Sequence, residues 1–114
     1  MTPEAKVKKE IREYIDALPQ TARLSPRQSG YGMNGIPDEI ICHKGLFFAV
    51  EVKAPPYGFT TPWQDQCLFA LRKAGGVAGV CWCLGDVKKL FEQGIAHFPT
   101  AVGSKKYEII YYQH

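Results

Sequence analysis

The sequence predicts an α/β or α+β fold in which helices cover a central mixed sheet. Three features lead to this prediction. An amphipathic helical pattern opens the chain, two β-rich apolar runs follow it, and a second helical pattern separates these runs from another buried strand. A chain of 114 residues is long enough for one hydrophobic core but not for two. We therefore expect one domain over residues 1–114.

The composition argues against several classes of protein. A hydrophobic fraction of 46% with 22% charged residues is ordinary for a globular chain, so disorder is not favoured. Polar residues follow Met1, and no apolar stretch has the length of a signal-peptide core or a membrane span. We expect a cytoplasmic protein without a membrane partner. Its cysteines are then free thiols rather than disulfides or a zinc site, with Cys81 and Cys83 on one strand face as small core residues.

The first predicted helix lies at the amino terminus. Thr2 can cap it, and Pro3 can occupy its first position. Apolar residues at helical spacing continue until Pro19. These residues are Val7, Ile11, Tyr14, Ile15 and Leu18.

Two β-rich runs predict a hairpin in the next part of the chain. Residues 40–42 and 46–52 are apolar and are joined by a turn at residues 43–45. The second run is apolar on both faces, so it should be a central strand. Before the hairpin, residues 23–24 are a candidate for a short strand, and residues 27–35 are a glycine-rich loop.

The second half of the chain alternates helices and strands. A turn-forming connector at 54–58 leads to a helix that begins at Thr61-Pro62 and ends at Gly75-Gly76. The expected apolar side of this helix consists of Trp63, Cys67, Ala70, Leu71 and Ala74.

A buried strand, a short helix and a last strand complete the predicted order. Residues 77–84 form the buried strand, and Asp86 can cap the short helix that Gly94 ends. Residues 107–112 form the last strand, and its tyrosines are candidates for the core, a subunit contact or base stacking. His97 is expected in a loop, and no two histidines have the spacing of metal ligands.

The predicted hairpin brings two carboxylates together. Pairing about a two-residue turn at 44–45 puts Asp38 opposite Glu51, on the same face and with Cβ atoms about 5 Å apart. Strand alternation puts Lys53 on that side too, whereas Val52 points into the core and leaves its carbonyl near the carboxylates. Two like charges at this distance are destabilising unless they are offset. A divalent cation is the expected offset, and Mg²⁺ suits such oxygen ligands better than zinc does.

These groups are the elements that phosphodiester hydrolysis needs. A cation held by two carboxylates can lower the pKa of a bound water and bind a phosphate oxygen. An adjacent ammonium group can orient the water and stabilise negative charge. Taken singly, however, Glu51 and Lys53 are also compatible with a strand-end salt bridge, and Asp38 with a turn residue after Pro37.

The residues around this constellation resemble the PD-(D/E)XK nuclease superfamily. Gly35-Ile-Pro-Asp38 precedes Glu51-Val-Lys53 across the hairpin. The pattern is similar to the VRR-NUC branch, especially its small stand-alone phage and bacterial members, because Thr-Pro-Trp-Gln at 61–64 and Ala-Gly-Gly at 74–76 follow. The resemblance covers about residues 2–90. It implies a restriction-endonuclease-like core with a central mixed sheet flanked by helices.

The resemblance also implies roles for the hairpin residues. Asp38 and Glu51 would bind Mg²⁺ or Mn²⁺ together with the Val52 carbonyl. Lys53 would position or activate the attacking water. These four residues would then form the centre of the site.

Two further site residues come from the resemblance, and each has a structural alternative. Gln64 would support Lys53 or the scissile phosphate, but it is also the fourth residue of a capping box that begins at Thr61. Glu4 matches the glutamate of the family's first helix and would reach the metal through water. A glutamate in the first turn of a helix is also favoured by the helix dipole.

A second motif points to another enzyme class. The segment from Gly30 to Gly35 satisfies the GxGxxG fingerprint of dinucleotide-binding proteins, but it leads into a strand rather than into a helix. We interpret it as a loop whose backbone, with Arg27 and Tyr31, can approach DNA phosphates. A nucleotide-dependent enzyme remains a weaker alternative.

The sequence therefore predicts a Mg²⁺- or Mn²⁺-dependent DNA endonuclease. The resemblance implies branched substrates such as Holliday junctions and a homodimer, because two paired cuts need two sites. The net charge of +3 is compatible with a polyanionic partner without being diagnostic. A non-catalytic nucleic-acid-binding module with the same fold is the alternative from another functional class.

Overall fold

The computed structural model describes residues 1–26, 35–55 and 58–113. These residues form one six-stranded mixed sheet, in the order β1-β2-β3-β4-β5-β6, with three helices against it. The predicted fold class, an α/β sheet flanked by helices, is confirmed. The elements are α1 (Pro3–Asp16), β1 (Thr21–Leu24), β2 (Glu39–His43), β3 (Leu46–Val52), α2 (Pro62–Lys73), β4 (Val77–Cys81), α3 (Leu84–Gln93), β5 (Ile95–Pro99) and β6 (Tyr107–Tyr111).

The helices cover both faces of the sheet. Neighbouring strands are antiparallel except for β3 and β4, which are parallel and are connected through α2. On β3, Phe48 stacks on Phe91 of α3, whereas Glu51 accepts a hydrogen bond from Gln64 of α2. Because these two β3 residues point to opposite faces, α3 and α2 lie on opposite sides of the sheet. Helix α1 contacts α3 and therefore covers the same side as α3.

Helix α1 forms as its sequence predicts. The Thr2 hydroxyl accepts a hydrogen bond from the Ala5 N–H at 3.1 Å, which caps the first turn. Ile11 and Ile15 of its apolar stripe are fully buried in the core. No helix among the described residues has the length and apolar character needed to cross a membrane.

The hairpin also forms as predicted, and β3 is central. Lys44 and Gly45 both have positive φ, at 50° and 82°, as a two-residue turn of the I′ type requires. The register pairs His43 with Leu46 and Ile41 with Phe48, as the predicted turn demands. Five consecutive residues of β3, from Phe48 to Val52, are buried.

Helix α2 buries only part of the predicted face. Cys67 and Leu71 of that face are half-buried, and Leu71 packs against the core, whereas Trp63, Ala70 and Ala74 are exposed. The buried residues of the helix are Asp65 and Leu68. The buried face accommodates Asp65 because its carboxylate accepts hydrogen bonds from the Thr60 hydroxyl and, at 2.8 Å, from the Gly103 N–H. Apolar spacing alone could not identify a charged residue as the buried one.

The region around α3 differs from the prediction as well. Strand β4 ends at Cys81, and the exposed Cys83 is the N-cap of α3 instead of a core residue. Asp86 lies inside the first turn, where its Oδ2 accepts a hydrogen bond from the Trp82 N–H at 2.9 Å. The local bond to Trp82 therefore replaces the predicted capping role of Asp86.

Strand β5 was not predicted, and it includes His97, which was expected in a loop. The segment is short, and its polar His97 and terminal Pro99 weaken the β pattern. It is a strand because β6 pairs with it along its whole length, from Ile95 to Pro99. This long-range pairing has no local signal in the sequence.

Some predictions fall outside the described residues. These concern residues 30–34 of the glycine motif, which include Tyr31, and also Arg27, part of the connector at 56–57, and His114.

The burial of Ile15 gives a test of the packing. We expect Ile15→Ala to reduce the free energy of unfolding by about 2–5 kcal/mol, because it removes buried methylene groups and leaves a cavity. Ile109→Ala is the matched control, since Ile109 is exposed on β6, and it should change the free energy by about 0.5 kcal/mol or less. Urea unfolding measures both. An equal loss of unfolding free energy in the two variants would contradict the burial of Ile15.

Candidate active site

The turn before β2 fits closely against the start of α2. Gly35 has φ +82°, and a Cβ atom at this position would lie 2.4 Å from the carbonyl carbon and oxygen of Trp63. No side chain can be accommodated at that distance, so only glycine allows this contact. The contact brings the segment that carries Asp38 next to the helix turn that carries Gln64.

Asp38 lies at the open end of the hairpin. Glu39 pairs with Val50, so the next position of the register sets Asp38 opposite Glu51. One Asp38 oxygen, Oδ2, accepts a hydrogen bond from the Val52 N–H at 2.8 Å. This bond holds the carboxylate against the end of β3, beside Glu51.

Glu51 is a buried carboxylate with an incomplete set of partners. Its side chain is 2% exposed, and Oε1 accepts a hydrogen bond from Gln64 Nε2 at 3.1 Å. The other oxygen, Oε2, is buried and receives no hydrogen bond from the described residues. Lys53 Nζ lies 4.0 Å from Oε1. A buried carboxylate oxygen without a donor is costly, so Oε2 is in a position suited to a cation.

The surroundings of Glu51 strongly favour its protonated form. Burial raises the pKa of Glu51 to about 9, and the nearby Asp38 carboxylate adds to this rise. The positive charges of Lys53 and Lys8 lower the pKa but do not compensate. A divalent cation next to Glu51 would lower this pKa again, because its positive charge favours the ionised carboxylate over the protonated one.

Lys8 was not predicted from the sequence as a site residue. Its Nζ lies 3.0 Å from Asp38 Oδ1 and 3.3 Å from Glu4 Oε2. Glu4 therefore reaches the Asp38 carboxylate through Lys8, and its own side chain is half exposed. The available signal was the spacing of four residues, which puts Glu4 and Lys8 on one face of α1.

Gln64 both caps helix α2 and contacts Glu51 in the candidate site. Its Oε1 accepts a hydrogen bond from the Thr61 N–H at 2.9 Å, and its N–H donates to the Thr61 hydroxyl at 3.2 Å. These two bonds complete the capping box. The remaining amide group, Nε2, is then free to donate to Glu51. The cap of α2 thus fixes the orientation of Gln64 toward the site.

A second buried carboxylate, Glu39, stands next to Asp38 in the chain and was also not predicted. It is fully buried and accepts hydrogen bonds from Ser25, from Arg12 of α1 and, at 3.0 Å, from Arg23 of β1. Removing one partner of such a buried group is strongly destabilising. Glu39 therefore fixes α1 and β1 to the start of β2, where Asp38 lies.

The donor set fits a hard divalent cation. The described residues contain no group of three or more His, Cys, Asp and Glu side chains that could hold a metal ion. Two carboxylates and a backbone carbonyl are nevertheless enough for Mg²⁺ or Mn²⁺, because Mg²⁺ keeps several waters and needs few protein ligands. The oxygen atoms of Asp38 and Glu51, with the Val52 carbonyl, would provide these ligands.

A solved structure described as a "VRR_NUC domain" is similar to this chain. The two superpose with a TM-score of 0.68 at 28% sequence identity, over 81% of this chain and 97% of the other. No protein-family model and no curated protein matches the sequence. The structural likeness confirms the resemblance to the VRR-NUC family and the restriction-endonuclease-like fold.

The raised pKa of Glu51 predicts how stability depends on pH when a chelator keeps cations away. Between about 4.5 and about 9 the folded chain binds more protons than the unfolded chain, so stability falls as pH rises through this range. Glu51→Gln removes the titrating group, so its free energy of unfolding should fall less than that of the wild type over this pH range. Urea unfolding in EDTA across this range measures the difference.

Glu108→Gln is the control for this experiment, because Glu108 is exposed on β6. It should follow the pH profile of the wild type. Identical profiles for Glu51→Gln and the wild type would contradict the raised pKa. Adding Mg²⁺ should reduce the difference between wild type and Glu51→Gln, because a cation stabilises the ionised Glu51.

Proposed function

We propose that this chain is a Mg²⁺- or Mn²⁺-dependent endonuclease that hydrolyses phosphodiester bonds of DNA. The observation that carries the proposal is the buried Glu51 Oε2, which lacks a hydrogen-bond donor beside the Asp38 carboxylate and the Lys53 ammonium group. The likeness to a VRR_NUC domain supports a nuclease-type fold and DNA as the partner.

In the proposed mechanism the hairpin holds the reacting groups. Asp38, Glu51 and the Val52 carbonyl would hold the cation, which when bound supplies a water of lowered pKa and a positive charge for a phosphate oxygen. The Val52 N–H fixes one oxygen of Asp38, and Gln64 fixes Oε1 of Glu51. Both carboxylates are therefore oriented before substrate binds, which reduces the reorganisation that the reaction requires.

Lys53 is the proposed partner of the nucleophile. Its side chain is mostly buried, and its ammonium group is 4.0 Å from Glu51 Oε1. From this position it can donate a hydrogen bond to a water bound at the carboxylates and stabilise the charge that develops on the phosphate. Glu4 would act at a greater distance, through the Lys8 bridge to Asp38.

Several finer features of the proposal come from the family resemblance or, for the cellular location, from the composition of the sequence. Selectivity for branched DNA such as Holliday junctions, a homodimer, a phage or bacterial source and a cytoplasmic location all remain predictions. A four-way junction, a nicked duplex and a linear duplex of the same sequence, cut under identical conditions, would test the substrate preference. The number of cuts per junction and the mass of the protein in solution would test the homodimer.

Lys53→Ala tests the proposed chemistry. We expect cleavage of plasmid and junction DNA in Mg²⁺ or Mn²⁺ to fall by about 10²–10³-fold or more, because the group that stabilises developing charge is lost. DNA binding should persist, since the other lysine and arginine side chains are unchanged. A nicking assay and a gel-shift assay measure the two properties, and EDTA should abolish cleavage by the wild type.

Lys89→Ala is the matched control, because Lys89 is an exposed lysine on α3. It should cut DNA at the rate of the wild type. Equal cleavage by wild type and Lys53→Ala would disprove the role of Lys53. Binding of DNA by the wild type without any cleavage, whichever cation is added, would instead identify a non-catalytic nucleic-acid-binding module.

A further inference from the structure

We propose that two exposed aromatic rings beside the candidate site, Phe59 and Trp63, bind unpaired bases of the DNA substrate by stacking, and that the exposed Val102 adds an apolar contact. These residues, Phe59, Trp63 and Val102, are 48%, 59% and 46% exposed and are here called the apolar platform. The inference rests on the proposed function, because it requires a nucleic-acid substrate. It adds a binding surface for a single-stranded segment next to the cleavage site.

The apolar platform is built from three chain segments that meet at one buried residue. Asp65, which is fully buried on α2, accepts a hydrogen bond from the Thr60 hydroxyl next to Phe59. Its other oxygen accepts a hydrogen bond from the N–H of Gly103, next to Val102, at 2.8 Å. Trp63 lies on the same helix turn as Asp65. A single carboxylate therefore holds the three segments together.

The backbone around the apolar platform is fixed by further contacts. The Thr60 N–H donates to the Tyr107 hydroxyl at 2.8 Å, and the Tyr107 ring lies edge-on against Trp82 at 4.7 Å. Trp82 Nε1 in turn donates to the Gly58 carbonyl at 2.8 Å. Residues on both sides of Phe59 are thus anchored to the sheet. The exposed rings project from ordered backbone, which lowers the entropy cost of stacking on a ligand.

The apolar platform adjoins the candidate site. Trp63 directly precedes Gln64, whose Nε2 lies 3.1 Å from Glu51 Oε1. Gly58, one residue before Phe59, lies so close to Lys53 that an added Cβ would be 2.8 Å from the Lys53 Cβ. A strand whose phosphate is at Glu51 would therefore have its neighbouring bases near Trp63 and Phe59.

The charges nearby favour a nucleic acid over a protein as the occupant. Lys105 and Lys106 are exposed and follow Val102 within the same connection between β5 and β6. Aromatic rings with adjacent cations are the usual surface for single-stranded nucleic acid, since rings stack on bases and cations bind the backbone. Protein interfaces are instead depleted in lysine. The apolar platform thus fits an unpaired strand better than a second copy of this chain.

The test compares binding of single-stranded and double-stranded DNA in EDTA, where metal-dependent cleavage cannot occur. Trp63→Ala should weaken the binding of an oligothymidylate by about fivefold to a hundredfold, the range for loss of one stacked base. Binding of a blunt duplex should change by less than twofold. Trp63→Phe should restore most of the oligothymidylate affinity, because a phenyl ring can still stack. Fluorescence anisotropy measures these affinities.

Two controls separate stacking at Trp63 from a general loss of aromatic surface. Tyr111→Ala removes a side chain that is 73% exposed on β6, and it should bind oligothymidylate like the wild type. The chain has two tryptophans, and Trp82 is bonded to Gly58. Oligothymidylate should therefore quench the tryptophan fluorescence of the wild type but leave that of Trp63→Phe largely unchanged.

The results separate this inference from the proposed function. If the wild type cuts DNA but Trp63→Ala binds oligothymidylate as tightly as the wild type, the inference fails and the nuclease proposal stands. If binding depends on Trp63 but the wild type never cuts DNA, only the nuclease proposal fails. If Trp63→Ala instead dissociates an oligomer without weakening oligothymidylate binding, the apolar platform is a contact between copies of this chain, which also overturns the inference.

Discussion

The proximity of Asp38 and Glu51 is the constraint on which the rest of the site depends. The hairpin register sets these carboxylates opposite each other, and the sheet and α2 bury Glu51. Repulsion and burial both oppose the ionised form of Glu51, so neutralisation by a proton or by a cation is needed. The fixed contacts around the pair, from the Val52 N–H and from Gln64, keep the oxygens in place for either form of neutralisation.

The hairpin could be predicted from the sequence because its signals are local. A two-residue turn with positive φ at Lys44 and Gly45 fixes the register, and alternation along β3 then decides which side chains share a face. The carboxylate pair follows from those two facts alone. The capping box at Thr61 was equally local, and it set the position of Gln64.

Features that depend on distant parts of the chain could not be predicted. Lys8 reaches Asp38 from another element, and β5 is a strand only because β6 pairs with it. The apolar spacing of α2 suggested that Trp63 faces the core, whereas a buried Asp65 replaces it there. A buried carboxylate is stable only with hydrogen bonds, and one of the two partners of Asp65, Gly103, lies 38 residues away in the chain. The error at α2 coincides with the surface proposed to bind single-stranded DNA.

The ion pair between Lys8 and Asp38 has a consequence for the stability of the chain when no cation is bound. Lys8 offsets the charge of Asp38, since α1 holds its ammonium group 3.0 Å from this carboxylate. The fold therefore does not rely on an external ion to neutralise that carboxylate, in contrast to small zinc domains that unfold when the metal is removed. Under the proposed metal-dependent mechanism, dialysis against a chelator should therefore leave a folded chain that regains activity when Mg²⁺ is restored.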